Sequence, residues 1–236
     1  MPLNIPGRVV VFDYGEVISL TPTAADREAL LTIAGVAAGA AAEAVGDAAG
    51  KGAGGGAGKG AAVAAGEAAR SFWAAYDRHR DDLDRGTLDV TAYWQRVAAD
   101  VGAAWGASDI HRLWVADFRG WISVEPGTLQ LISDLRDGGT RLAILSNAGF
   151  DFGSPLRFSP LGRYFERIFL SAEMNALKPE PAIYLEVAAE LGIGMNQMIF
   201  IDNKVANTDA AAALGATTHH FTGVAGLREF LQVLAT

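Results

Sequence analysis

The sequence predicts an α/β fold: a parallel sheet carries helices on both faces, and an all-helical segment is inserted after the first strand. Three observations carry this reading. Short β-rich runs alternate with stretches of helical period. The strongest runs are apolar throughout, as strands covered on both faces are. About 125 residues separate the first run from the second, far more than a crossover helix needs.

Arg8-Val-Val-Val-Phe-Asp13 is a continuous apolar run ending in an acid, the pattern of a buried central strand. Arg141-Leu-Ala-Ile-Leu-Ser146 is the second, Arg167-Ile-Phe-Leu170 a shorter third, Met198-Ile-Phe-Ile-Asp202 the fourth and Thr217 to Phe221 a weaker fifth. Pro126 opens a helix with Leu129, Ile132 and Leu135 on one face and Gly138 as its stop. A second runs from about Pro181 with Ile183, Val187 and Leu191 buried and Gly192 beyond its end, and a third from about Ala206 to Leu214, closed by Gly215. Leu227, Phe230, Leu231 and Leu234 mark the last.

The inserted segment, 20–121, interrupts a core formed by 1–19 and 122–236. Phe72, Trp73 and Tyr76 begin one of its helices, Tyr93, Trp94 and Val97 mark another, and Trp105, Leu113, Trp114 and Phe118 suggest a third. An all-helical insertion at this point would sit above the C-terminal ends of the strands, where open α/β sheets bind ligands, and so reads as a cap.

From Ala37 to Ala69, 26 of 33 residues are Ala or Gly. The ten glycines oppose the helix preference of the alanines, so the centre, Gly50 to Gly60, is expected to be a flexible loop between Ala-rich helices. Its Gly-Lys pairs lack the spacing of a phosphate-cradling P-loop: Ala53 stands where the first glycine should be, Gly60 where a Ser or Thr should follow Lys59, and no strand precedes.

Composition narrows the function. The chain has 236 residues, enough for one large domain or a core of about 150 residues with a smaller insert. The net charge of −8 argues against a general nucleic-acid or anionic-membrane surface. With no cysteine, disulfides, thiol nucleophiles, thiolate zinc sites and iron–sulfur clusters are excluded. Met1 to Val10 lacks the basic-then-apolar pattern of a signal peptide, and no window is apolar enough to span a bilayer, so a soluble cytoplasmic protein is expected.

Polar residues close three of the strands: Asp13-Tyr-Gly15-Glu16, Ser146-Asn147 and Asp202-Asn203, with Lys178-Pro179 at the foot of a helix. A lone acid after a strand is usually a cap or turn residue. A parallel sheet, however, gathers its strand ends into one crevice. Two carboxylates with oxygen donors nearby suit a hard cation, magnesium best. A lysine and a hydroxyl beside it can hold a transferring phosphoryl group, and an aspartate in line with phosphorus can attack it. His79, His111, His219 and His220 form no catalytic triad with a serine and an acid and read as structural or surface residues.

These motifs, in this order, resemble those of the haloacid dehalogenase-like hydrolase superfamily, in particular phosphatase-type members with a helical cap after the first strand. The matching stretches are Val-Phe-Asp13-Tyr-Gly15, Leu-Ser146-Asn147, Leu-Lys178-Pro179-Glu-Pro-Ala-Ile-Tyr184 and Phe-Ile-Asp202-Asn203-Lys-Val-Ala-Asn207. The resemblance implies a Rossmann-like sheet and a Mg2+-dependent phosphomonoesterase for a small phosphorylated metabolite. It also implies roles for the matching residues. Asp13 would be nucleophile and metal ligand, Gly15 would give the metal its carbonyl, and Asp202 would complete the metal site with Asn203 in or near it. Ser146 and Asn147 would bind phosphoryl oxygens, and Lys178 would neutralise the nucleophile and the intermediate.

Two positions depart from the pattern: Gly15 replaces a common leaving-group acid, for which Glu16 or a water could substitute, and Asn203 replaces a common second acid. Two other functions compete: a non-catalytic binder of a phosphorylated ligand or a protein, and a metal-independent 2-haloacid dehalogenase. Trp73, Tyr76, His79, Arg80, Tyr93, Trp94 and Arg96 are candidates to face the sheet edge. The aromatics read equally as the insertion's own core, and Arg80 and Arg96 as substrate contacts or solvated surface.

Overall fold

The computed structural model describes residues 2–36 and 57–235. Five parallel strands, β1 (Val9–Phe12), β2 (Arg141–Ser146), β3 (Arg167–Leu170), β4 (Met198–Asp202) and β5 (Thr217–His220), form one sheet in the order β3-β2-β1-β4-β5. β1 is central, and every one of its residues is buried, which is why it reads as an unbroken apolar run. Phe12 is in register with Ile144 of β2 and Ile201 of β4, so the next residue, Asp13, stands level with Leu145 and Asp202. The five expected strands are present with ends shifted by at most one residue.

The described chain divides into two compact units. One comprises Met1–Thr21, Leu83–Asp89 and Trp121–Thr236, the other Pro22–Asp82 and Val90–Gly120. The helices in the inserted stretch are α1 (Ala24–Ala34), α2 (Ala57–Arg78), α3 (Arg80–Arg85), α4 (Val90–Val101) and α5 (Ala107–Trp121). Thr23 caps α1 in a reciprocal box with Asp26. Phe72, Trp73 and Tyr76 do not begin a helix but lie in the last two turns of α2, which among the described residues already runs from Ala57. Ala57 to Gly60, expected in the loop, are therefore helical, and Trp105 precedes α5. The remainder of the expected loop, 50–56, and the Ala-rich helix expected before it, 37–49, lie outside the described residues.

Phe72, Tyr93, Trp94, Val97 and Leu113 form the buried centre of the helical unit, with the Phe72 and Trp94 rings stacked at 6.5 Å. Asp117, also buried, accepts from the Tyr76 hydroxyl at 2.7 Å and pairs with Arg80 at 3.0 Å. A buried carboxylate persists only with such partners.

In the α/β unit, α6 (Pro126–Asp137) buries Leu131, Ile132 and Leu135. Its closing Gly138 has a right-handed φ of −77°; glycine is needed because a Cβ would overlap the Leu3 carbonyl, not for a left-handed turn. There follow α7 (Gly153–Arg157), α8 (Ser171–Met174), α9 (Pro181–Leu191), α10 (Val205–Ala213) and α11 (Val224–Leu234). Ile183, Tyr184, Val187 and Leu191 of α9 pack against Val9, Val11, Leu145 and Phe200 of the sheet.

The stretch Leu83–Asp89 departs from the expected boundaries by belonging to the α/β unit. Arg85 is ion-paired with Glu180, and the Ser171 hydroxyl donates to the Asp84 carbonyl. Gly86, at φ +81°, leaves no room for a side chain: a Cβ would come within 2.7 Å of Phe150 and 2.8 Å of the Ala172 carbonyl.

Candidate active site

Asp13 leaves β1 with its amide still in the sheet, donating to the Ile201 carbonyl at 2.8 Å. The chain then turns tightly: the Ile18 and Ser19 amides both donate to the Tyr14 carbonyl, and the Tyr14 hydroxyl donates to the Trp121 carbonyl at 2.9 Å. The Tyr14 amide donates to Asp13 Oδ1 at 2.7 Å. Asp202 ends β4 one strand away. Its Oδ1 accepts the Lys204 amide at 2.8 Å, and its Oδ2 accepts the Asn207 side-chain amide at 3.0 Å.

Lys178 comes from the loop between α8 and α9 and joins the two acids. Its Nζ lies 2.7 Å from Asp13 Oδ1, 2.7 Å from Asp202 Oδ2 and 3.0 Å from the Leu145 carbonyl. An ammonium has three protons, and these partners engage all three. Ser146, the last residue of β2, is buried at the same edge. The Asn147 side chain turns to the lysine's backbone: its Nδ2 donates to the Lys178 carbonyl at 3.0 Å and its Oδ1 accepts the Lys178 amide at 2.9 Å.

Asp13, Lys178 and Asp202 are 6%, 5% and 0% exposed, so their charges are poorly screened. Burial, the largest influence, raises the pKa of Asp13 to about 6; Lys178 pulls it down and Asp202 pushes it up. Burial alone would lower the Lys178 pKa, but the two carboxylates together outweigh it and hold the ammonium above its ordinary value.

Two buried carboxylates against one ammonium leave an excess negative charge, which favours a cation. Asn203 adds an oxygen: its Oδ1 is buried with no hydrogen-bond partner, while its Nδ2 donates to Glu16 Oε2 at 2.8 Å. Among the described residues no three His, Asp or Glu side chains gather as a metal site. A cation here would therefore draw on amide or carbonyl oxygens besides Asp13 and Asp202, a donor set suited to magnesium.

Asp13, Lys178 and Asp202 thus meet directly, with Asn147 attached through the Lys178 backbone, while the Asn203 side chain bonds to Glu16. The Leu145 carbonyl and Asn207 are further members of the cluster. Asn207 had a signal in the sequence, a lone amide in an alanine-rich helix following a strand-end acid. The backbone carbonyl had none. In the helical unit Tyr93 and Trp94 are core residues, while His79 and Arg78 meet Asp100, Arg80 meets Asp117 and Arg96 meets Asp82.

The sequence model for the haloacid dehalogenase-like hydrolases matches residues 8–215. A stretch of 94 residues is 33% identical to acyl-CoA dehydrogenase family member 10 of Mus musculus, covering 39% of this chain and only 9% of that protein. A haloacid dehalogenase-family enzyme from Bacteroides thetaiotaomicron, solved with magnesium and inorganic phosphate, superposes with a TM-score of 0.60 at 18% identity over 90% of this chain and 92% of that one. A predicted hydrolase of the same type from Porphyromonas gingivalis gives 0.60 at 20% identity, over 95% and 98%. The L-2-haloacid dehalogenase of Xanthobacter autotrophicus, with chloropropionic acid covalently bound, gives 0.55 at 15%, over 89% and 76%. At these identities the structural likeness is one of fold. The chain belongs to the haloacid dehalogenase-like hydrolase family.

Proposed function

We propose that this hydrolase is a Mg2+-dependent phosphomonoesterase for a small phosphorylated metabolite, working through an aspartyl-phosphate on Asp13. The observation that carries the reading is the second buried carboxylate, Asp202, sharing the Lys178 ammonium with Asp13. That surplus of negative charge suits a site that takes up a cation.

With Asp13 Oδ1 engaged by Lys178 and Tyr14, Oδ2 is the oxygen left to attack. Its electron pair forms the new O–P bond while the bond from phosphorus to the ester oxygen breaks, and the departing oxygen takes a proton from water. A second water then attacks the aspartyl-phosphate, releasing inorganic phosphate and restoring the Asp13 carboxylate. Lys178 holds the nucleophile's orientation and offsets charge on the intermediate, and Ser146 and the Asn147 backbone contact the phosphoryl oxygens. Asp13, the Gly15 carbonyl, Asp202 and Asn203 would hold the magnesium ion, which neutralises phosphoryl charge when bound.

Dehalogenases among the structural neighbours raise a second chemistry, attack of Asp13 on carbon without a metal. Asp202 opposes it, because a second carboxylate beside the nucleophile repels a carboxylate substrate. The test is phosphate release from an aryl phosphate. The proposed enzyme loses activity in EDTA and on Asp13→Asn; activity surviving both overturns the proposal, and chloride release from 2-chloropropionate in metal-free buffer establishes the dehalogenase instead.

A further inference from the structure

Glu16 follows the nucleophile by three residues and has a φ of +58°, in the left-handed region that residues with a side chain rarely occupy. Such strain persists where the surroundings enforce it and is concentrated at functional sites. Here the enforcing contacts are visible. The Glu16 amide donates to the Ser19 hydroxyl oxygen at 3.1 Å, and the Thr21 hydroxyl donates to Glu16 Oε1 at 3.1 Å. The remaining oxygen, Oε2, accepts the Asn203 Nδ2 at 2.8 Å.

The chemistry of that last bond has one direction. An ionised carboxylate only accepts, so the Asn203 amide must turn its NH2 toward Glu16. Its oxygen is thereby forced to the opposite side, where Oδ1 is buried without a donor. The backbone on which this amide sits is held as well, by the Lys204 amide on Asp202 Oδ1 and by His220 Nε2 at 3.0 Å from the Asn203 carbonyl. Without Glu16 nothing in these contacts distinguishes the two flips of the amide, one of which would present NH2 where an oxygen now stands.

We infer that Glu16 is a positioning residue of the cation site, holding the Asn203 side chain so that its oxygen, adjacent in the chain to Asp202, is offered to the metal. This rests on the magnesium-dependent reading above and assigns Glu16 a task other than proton transfer. Partners that orient a ligand in this way typically change metal affinity by about 10–100-fold when removed.

The test is calorimetric titration of the metal-free full chain with MgCl2, independent of turnover. Glu16→Gly suits the left-handed backbone and removes the carboxylate, so the turn is retained; it is expected to weaken Mg2+ binding about tenfold. Glu16→Gln can accept from the Asn203 NH2 or donate to its oxygen, so it favours the required flip less firmly and is expected to lose only about threefold, between the parent and Glu16→Gly. Asn203→Ala should weaken binding as Glu16→Gly does, and the double variant no further, since both remove the same ligand. Unchanged affinity in Glu16→Gly, equal losses in Glu16→Gln and Glu16→Gly, or multiplying losses in the double variant each overturn the inference. If the parent chain takes up no Mg2+ at all, the phosphomonoesterase reading fails first and this assignment with it.

Discussion

Asn147 and Lys178 are clasped through two hydrogen bonds, each supplying one donor and one acceptor: Nδ2 to the lysine carbonyl at 3.0 Å and the lysine amide to Oδ1 at 2.9 Å. The residue after β2 thus fixes the backbone from which the ammonium reaches both acids. Asn147→Ala removes the clasp, and a lysine displaced by about 1 Å should lower kcat about a hundredfold. Asn147→Asp keeps the acceptor but loses the donor, so an intermediate loss is expected. Steady-state kinetics on an aryl phosphate with saturating Mg2+ measure both, and an unchanged kcat in Asn147→Ala would show that the clasp does not position the lysine.

Charge balance in the site makes a prediction about stability. The Asp13 pKa stands at about 6 when folded against an ordinary 3.8, burial being the first cause. The folded, metal-free protein therefore binds this proton more tightly than the unfolded chain, and its stability falls as pH rises from about 4 to about 6. Above that, the penalty is complete, on the order of 2–3 kcal/mol. Asp13→Asn removes it, so in EDTA at pH 8 the variant should melt several degrees above the parent, with a smaller gain at pH 5. Added Mg2+ should stabilise the parent more than the variant. A lower melting temperature for the variant at pH 8 would contradict a net penalty for burying the ionised Asp13 carboxylate.

Gly15 is not required by its surroundings. A Cβ there would meet only Trp121, at 3.8 Å, an ordinary contact, and its φ lies outside the left-handed region. Gly15→Asp is therefore expected to fold and to supply a leaving-group acid, a contribution of about 10²–10⁴-fold where the leaving group is basic. Alkyl phosphates should gain most and nitrophenyl phosphate least. Rates across a series of leaving groups check this; a parent enzyme already indifferent to leaving-group basicity would mean that protonation comes from elsewhere.

In the helical unit the Tyr76–Asp117–Arg80 cluster is structural. Asp117→Ala leaves the Arg80 guanidinium and the Tyr76 hydroxyl without their shared acceptor and should destabilise the unit by about 2–4 kcal/mol. Four of the five tryptophans, Trp73, Trp94, Trp105 and Trp114, lie in this unit, so their fluorescence during urea unfolding reports it. Asp117→Leu combined with Arg80→Met should recover part of the loss by replacing the ion pair with apolar side chains of similar size. A loss below about 0.5 kcal/mol for Asp117→Ala, the range of an ordinary surface change, would place the cluster outside the unit's stability.

Arg80 also illustrates a limit of pattern reading. Its position beside aromatic residues suited a substrate contact as well as a surface charge, yet it is drawn to Asp117, 37 residues away. The helical residues Ala57 to Gly60 are a different case: glycine and alanine preferences oppose one another there, so propensity alone does not decide between helix and loop. The glycine closing α6 was legible as a stop, but its reason, the approach of the Leu3 backbone, comes from a segment distant in the chain.

The chain itself determined the order of five strands, the helices between them and the polar residue closing each central strand. Burial on both faces demands unbroken apolar runs, and parallel strands bring their C-terminal ends to one edge. Only the tertiary structure decided which polar atoms meet there: Lys178 between two acids, Asn147 turned to a backbone 31 residues on, and Asn203 turned to a carboxylate 187 residues back. Those pairings depend on strand register and on the direction each donor points, and neither leaves a local signature in composition or period.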